Sequence, residues 1–531
     1  MGGLSIHICT ILLLLPGVLA SIAGCTRLVP EKDPHTIYMH LRAEPGTLNP
    51  YTSTDGYASE VNEHIYESLI DRDYDTLAVR PMLAERWEVS PDKMRYRFYL
   101  KKGVLWSDGV ELTADDVIYS FKTMKDPKVA CAHLKVYFID VKSIKKIDRY
   151  TVEFLYSKLS YLALSNCGGL LVIPKHVFND GTDFNTHKNN RHPVGTGPYK
   201  FDRWDTGKNI ILIQNGRYRG KKPDIRRMVY KIIQDQSVAL QMLKKGDLDA
   251  IELRDIEWVR QTNSEKFIEK FYKLKYYVPI FAYIGWNSAR EFFKDRRVRL
   301  AMTQLINRKE ILEKLRFGIG ETVTGPFYLF GENYNREIKP WPYDPERARQ
   351  LLKEAGWTDH DGDGILDKDG KKFSFTFTIP SESKFGERLG TIMKEDLAKA
   401  GIEMEISRFE WAVFLNKIQS RNFDATTLRW SGGYDEDPYQ IWHSSQIKGG
   451  SNYVGFNNKE ADRIIEKARQ EFDAKKRIKL YHRLHEILHY EQPYTFLYAT
   501  PNLVVVSRRF GNVKEHKRGL NMLEWKVRQS Q

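Results

Sequence analysis

Residues 210–252 read IILIQNGRYRGKKPDIRRMVYKIIQDQSVALQMLKKGDLDAIE, and this stretch decides the fold class. Ile210–Gln214 and Met228–Ile233 have the β-branched and apolar density of strands, and Asn215–Pro223 between them is a turn rich in Arg and Gly. Ser237–Lys245 has helical spacing and stops at Gly246, a residue free to take the left-handed conformation that closes helices. Leu248–Glu252 then returns as a strand. A β-turn-β-α-β order in so short a stretch predicts a mixed α/β sheet.

The same alternation continues in both directions. Toward the N-terminus, Thr36–Leu41 and Arg95–Leu100 read as strands, Ser143–Leu155 as a hairpin, and Ala58, Val61, Ile65 and Leu69 share one helix face. Thr113 with Asp116 three residues on is a capping box that opens another helix. Val194–Tyr199 (VGTGPY) is a glycine-rich turn without the lysine of a phosphate loop. Toward the C-terminus, Asp295, Asn307, Asp344 and Asn458 stand at helix starts, and Gly356 and Pro493 at helix stops. Phe373–Ile379, a helix around Leu389–Ala400, and Ile402–Arg408 repeat the strand-helix-strand order, and Thr495–Val506 reads as returning strands. A chain of 531 residues exceeds one core, so two or three domains are expected. No repeat or low-complexity linker separates them, which predicts domains knitted together.

The net charge of +14 is spread over pairs such as Lys145-Lys146 and Arg226-Arg227, with no recognition-helix or zinc pattern, so nucleic acid is not an expected partner. A solvated surface or a face toward anionic lipid accounts for it. Ile8–Ala23 is apolar but too short for a good membrane span, and reads as a secretory signal, although Met1–His7 lacks Lys and Arg. Ile22-Ala23-Gly24-Cys25 resembles a bacterial lipobox, which makes residues 1–24 the signal peptide, Cys25 the lipidated residue, and 25–35 a tether. Outside the cytoplasm Cys131 and Cys167 are either a disulfide or two isolated buried thiols.

Two stretches carry candidate chemistry. Trp430–Gln446 (WSGGYDEDPYQIWHSSQ) crowds aromatics and carboxylates into a run broken by Gly432, Gly433 and Pro438, a composition suited to a polar organic ligand or to a surface loop. Thr358–Gly370 (TDHDGDGILDKDG) has the oxygen-ligand spacing of a calcium loop: Asp359, Asp361, Asp363, the Ile365 carbonyl and Asp367. Gly370 stands where a bidentate Glu would complete it, so a structural Ca²⁺ or no metal is expected, and no other cofactor. No Gly-x-Ser-x-Gly elbow or His-Glu-x-x-His helix is present, and Glu63-His64 reads as a surface pair.

Taken in order, Leu83–Phe121, Val194–Tyr199, Asp235–Ile251, Val298–Ile311 with Thr324-Gly325-Pro326, and Tyr343–Trp357 resemble the bacterial extracellular solute-binding proteins of family 5, the peptide- and nickel-type receptors of ABC importers. The resemblance implies a periplasmic-binding-protein-like, two-lobed α/β clamshell of the class II type with an extra subdomain in its first lobe. It divides the chain into lobe I (36–60, 190–280 and 495–531), the extra subdomain (61–189) and lobe II (281–494). It implies a monomeric, lipid-anchored, non-enzymatic receptor that passes a peptide or other small solute to permease subunits. An extracytoplasmic hydrolase, or a receptor of the same fold for a sugar, opine or metal chelate, is the alternative. The ligand-lining positions it implies are Trp411, Trp430, Gly433, Tyr434, Asp435, Asp437 and Trp442. Many peptide-binding relatives carry an Asp three residues after the second Trp to pair with the peptide amine. That position is Gly433 here, and Asp435 is the expected substitute.

Overall fold

The computed structural model describes residues 33–528, so Cys25 and the signal segment lie outside the described residues. The decisive stretch forms the elements its sequence predicts. Asn209–Gln214 and Arg227–Ile232 pair antiparallel, and Ala250–Glu252 runs parallel to Thr36–Leu41. Between them the Gln236–Lys245 helix is capped by the Asp235 carboxylate, which accepts from the amides of Ser237 and Val238, and it ends on Gly246 at φ 82°. These strands belong to a seven-stranded sheet ordered Phe271–Tyr276, Asn502–Ser507, Ala250–Glu252, Thr36–Leu41, Arg227–Ile232, Asn209–Gln214, Tyr199–Asp205.

A second, six-stranded sheet is ordered Glu321–Thr322, Tyr494–Ala499, Ile280–Trp286, Ala425–Ser431, Ser374–Pro380, Glu403–Phe409. Strand alternation gives it two apolar faces. Ala282, Ile284 and Trp286 enter one core cluster, and Phe281 and Tyr283 enter another. A four-stranded antiparallel sheet (Ala84–Val89, Arg95–Leu100, Thr151–Tyr156, Val141–Asp148) shares its core with the first sheet, because Phe98 and Phe154 lie in the same cluster as Ile37 and Tyr230. The architecture is therefore a two-lobed mixed α/β fold with an inserted unit fused to the first lobe.

Three sequence expectations are corrected. The return to the first sheet falls at 500–501, since Tyr494–Ala499 pairs with Ile280–Trp286 in the second sheet, and 495–499 leave lobe I. The Gly56–Asn62 helix runs through the expected boundary at 60/61, and ends before Ile65 and Leu69, which are buried beyond it. His64 is not a surface residue: it is buried edge-on to Tyr199 at 5.8 Å, and burial lowers its pKa to about 4. In the VGTGPY turn, a Cβ on Gly195 would meet the Ile65 carbonyl oxygen at 1.9 Å, so this glycine serves close backbone approach. Cys131 and Cys167 are free buried thiols, and the Cys167 thiol donates to the Ala163 carbonyl at 2.8 Å.

Candidate functional site: the cleft between the lobes

The chain crosses between the two large sheets at 277–279 and at 500–501. Beside these crossings Arg316 of the second lobe pairs with Asp255 of the first at 3.1 Å. The loop after Trp430 makes the other bridge. Asp435 is ion-paired with Arg72, the Tyr161 hydroxyl donates to the Glu436 carbonyl at 2.6 Å, and the Tyr434 hydroxyl donates to the Lys517 carbonyl at 3.0 Å.

Charged groups of both lobes also come near enough to act on one another. Ala58, Val61 and Asn62 form the buried face of the Gly56–Asn62 helix, which leaves Glu60 and the C-cap Glu63, three apart, on the other side. Both side chains are open to water-sized space, and yet desolvation by the surrounding protein pushes Glu60 up to about 8 and Glu63 up to about 7. Glu60 also feels the charges of Glu63 and Glu252. Glu252, at the end of its strand, is likewise raised by desolvation, with Arg429 and Arg42 opposing. Tyr276 is pushed up to about 12 by burial and feels all three carboxylates. From the second lobe, desolvation and then the neighbouring Arg316 lower Arg429, whose guanidinium donates to the Thr500 hydroxyl at 3.1 Å. Among the described residues, Glu60, Glu252 and Arg429 have no opposite charge within 4.0 Å. The first lobe brings three carboxylates, with Arg42 acting on Glu252 and Arg518 on Glu63, and the second lobe brings the Arg429 guanidinium.

The residues expected from sequence divide. Trp430 stands on the Ala425–Ser431 strand, half-buried, stacked on Tyr283 (6.3 Å, 7°) and Tyr453 (5.9 Å, 21°), with its indole N–H donating to the Tyr494 hydroxyl at 3.2 Å. Trp411 opens the Trp411–Gln419 helix, is 47% exposed, and stacks on Phe414 at 5.6 Å, a member of the cluster against which Trp430 packs. Gly433 is exposed in the bridging loop and Tyr434 is half-buried there. Trp442 is corrected: at 1% exposure it is core, edge-on to Tyr494 at 4.7 Å, because its short helix turns it inward. The Asp435 and Asp437 charges are already engaged by the protein, Asp435 by Arg72 and Asp437 by Arg469 at 3.2 Å. Glu436, between them, accepts from Tyr328 N–H and from Asn333 at 2.8 Å, and burial pushes it up to about 7. Sequence reading missed Glu60, Glu63, Glu252 and Arg72. For the first two the signal was present, as carboxylates three apart opposite an apolar helix face.

In the Asp-rich loop the carboxylates of Asp359, Asp361 and Asp363 lie within 4.8 Å of one another, all exposed. Lys372 places its ammonium on Asp363 and 3.6 Å from Asp361. Asp359 caps the amides of Gly362 and Gly364, and Asp367 turns to His360 at 2.9 Å.

Comparison with known proteins fits this architecture. Residues 78–452 match the family model described as bacterial extracellular solute-binding proteins, family 5 Middle. The oligopeptide-binding protein AppA of Bacillus subtilis is 34% identical over 91% of this chain and 90% of its own length. Its structure in complex with a nonapeptide superposes with a TM-score of 0.80 at 32% identity, covering 93% of this chain and 99% of that one. The structure of NikZ from Campylobacter jejuni in complex with Ni(L-His) gives 0.78 at 25% identity, over 93% and 99%. The dipeptide-binding protein of Escherichia coli is 27% identical over 85% of this chain and 86% of its own length.

Proposed function

Because the chain belongs to family 5 of the bacterial extracellular solute-binding proteins, we propose that it captures a peptide-like solute between its lobes and delivers it to the permease of an ABC importer. Members of this family are extracytoplasmic binding proteins rather than enzymes. The observation that carries the peptide reading is the polarity of the cleft: Glu60, Glu63 and Glu252 on one side and Arg429 on the other suit a ligand with an amine and a carboxylate. On this reading the amine goes to the first-lobe carboxylates, since Asp435 is already paired with Arg72. Mass spectrometry of the native protein is expected to find a co-purified peptide, returned intact after incubation. A cleaved peptide would turn the reading toward a hydrolase, and a co-purified metal chelate or opine toward that class of ligand.

Attachment through a lipid on Cys25 is part of the same proposal. Cys25→Ser is expected to move the protein from the membrane fraction to the soluble one, and a variant still sedimenting with membranes would count against it.

The Asp-rich loop is read as a turn neutralised by Lys372 rather than a Ca²⁺ site, since the ammonium already screens two of its three carboxylates. Added Ca²⁺ is expected to shift the melting temperature by less than about 1 °C. A rise of several degrees that Asp361→Ala abolishes would instead establish a structural ion.

A further inference from the structure

We propose that the first lobe carries a lipid-facing surface, built around Lys244, Lys245, Lys270 and Arg508, that rests on anionic phospholipid headgroups. A concavity of ≈ 310 Å³ is lined by these four residues together with Gly246, Leu248, Phe271, Ser507 and Arg509. The fold brings the cations together from three places. Lys244 and Lys245 end the Gln236–Lys245 helix, where the helix dipole favours positive charge. Lys270 ends the Glu265–Lys270 helix and accepts the Arg508 amide on its carbonyl at 2.8 Å. Arg508 follows the Asn502–Ser507 strand, and its guanidinium lies 4.3 Å from the Tyr272 ring centre, a ring that Arg528 also approaches and whose hydroxyl accepts from Arg528 at 2.7 Å.

Among the described residues, Lys244, Lys245, Lys270, Arg508 and Arg528 have no carboxylate within 4.0 Å. Arg509 is different: the buried Asp249 binds it at 2.7 Å. Asp247 and Glu269 lie close in sequence and offset part of the charge, leaving an excess of cations over the concavity. Ile268, 46% exposed, stands beside them, since its carbonyl accepts from the Arg508 guanidinium at 2.8 Å. An exposed aliphatic residue adjoining a cluster of lysine and arginine suits a headgroup layer better than a free anion in water.

The position of this surface names the occupant. Arg509 donates to the carbonyl of Thr36, the first residue of the strand through which the chain joins the body. Cys25 stands eleven residues earlier. At full extension that length reaches at most roughly 40 Å. A lipid on Cys25 therefore holds this corner of the first lobe within reach of a bilayer, where each cation near an anionic surface adds attraction. The proposal rests on the anchored reading only for where the membrane is, and the surface can be tested without the lipid.

The test compares the full chain carrying Cys25→Ser with the same chain also carrying Lys244→Glu, Lys245→Glu and Lys270→Glu. All three lysines are exposed, so the fold should tolerate the change, and matched melting curves check this. Co-sedimentation is measured on phosphatidylcholine vesicles with and without phosphatidylglycerol at about one lipid in three. The parent is expected to bind the phosphatidylglycerol vesicles and to be released by salt at about 0.5 M, and the triple variant to bind at least tenfold more weakly. Equal binding by the two chains, or equal binding to vesicles lacking phosphatidylglycerol, would overturn the proposal. So would release of the parent by inorganic phosphate at constant ionic strength, which would make the concavity a site for a free anion.

Discussion

Replacing Glu60 and Glu63 together by Gln should weaken binding of the co-purified peptide about a hundredfold, equivalent to about 2.7 kcal/mol. The two carboxyls are raised because the cleft hydrates them poorly, and no internal cation stands on Glu60. A ligand ammonium would supply that cation in a place where water competes weakly, and the amide variants would leave it unpaired. Binding should also release protons, since ammonium arrival favours the ionised carboxylates, so affinity should rise with pH between about 6 and 8. The ligand-free protein should show the opposite dependence. A carboxyl raised above its ordinary value of 4.5 contributes its stability fully below about pH 4.5, and that contribution is lost as the pH rises through about 7 for Glu63 and about 8 for Glu60. The parent should therefore gain stability over the double variant as the pH falls from about 8 to about 5. Using the difference between the two chains removes the buried histidines His64, His485 and His489, whose lowered pKa values work the other way in both. Titration calorimetry in buffers of different ionisation enthalpy reads the affinity and the protons together. Undiminished affinity in the double variant, with acetylation of the peptide amine also without effect, would remove these residues from the ligand site.

The fold was legible because its signals are local. Asp235, Gly246, the Thr113–Asp116 box and the helix starts at Asp295, Asn307, Asp344 and Asn458 each act within a few residues of backbone, and all cap helices in the structure. The cleft was only partly legible, because its character comes from pairs far apart in sequence. Asp435 looks like a free ligand carboxylate until Arg72, from the inserted unit, is found on it. Trp442 has the composition of a ligand aromatic, and nothing nearby in sequence shows that Tyr494 and Phe456 close over it. Glu63 and His64 are adjacent in sequence, yet where the helix ends the chain leaves Glu63 exposed and buries His64 against Tyr199. The two crossings between lobes share this difficulty: Tyr494–Ala499 and Asn502–Ser507 read as one returning pair, and only the pairing register assigns them to different sheets.

Trp430→Ala should cost about 3 kcal/mol of stability as well as about 2 kcal/mol or more in ligand affinity. The sequence pointed to a cleft aromatic. The structure shows an indole that is also part of a packed array, lying parallel to Tyr283, which itself stacks on Tyr494 at 3.8 Å. Removing it opens a gap beside Tyr453 and leaves the buried Tyr494 hydroxyl without its indole donor, and both effects act on the folded state before any ligand arrives. Trp411 separates the two contributions. Trp411 is 47% exposed and stacks on Phe414, so Trp411→Ala should cost under about 1 kcal/mol of stability while still weakening binding if the ring lines the cleft. Chemical denaturation and titration calorimetry, the latter run well below the melting temperature of each variant, distinguish the cases. Trp430→Phe keeps a ring in the stack and loses the indole donor, so it should recover most of the stability. If Trp430→Ala destabilises the protein but binds ligand as tightly as the parent, Trp430 is a pillar of the second lobe, and ligand contact passes to the exposed Trp411 and to Tyr434.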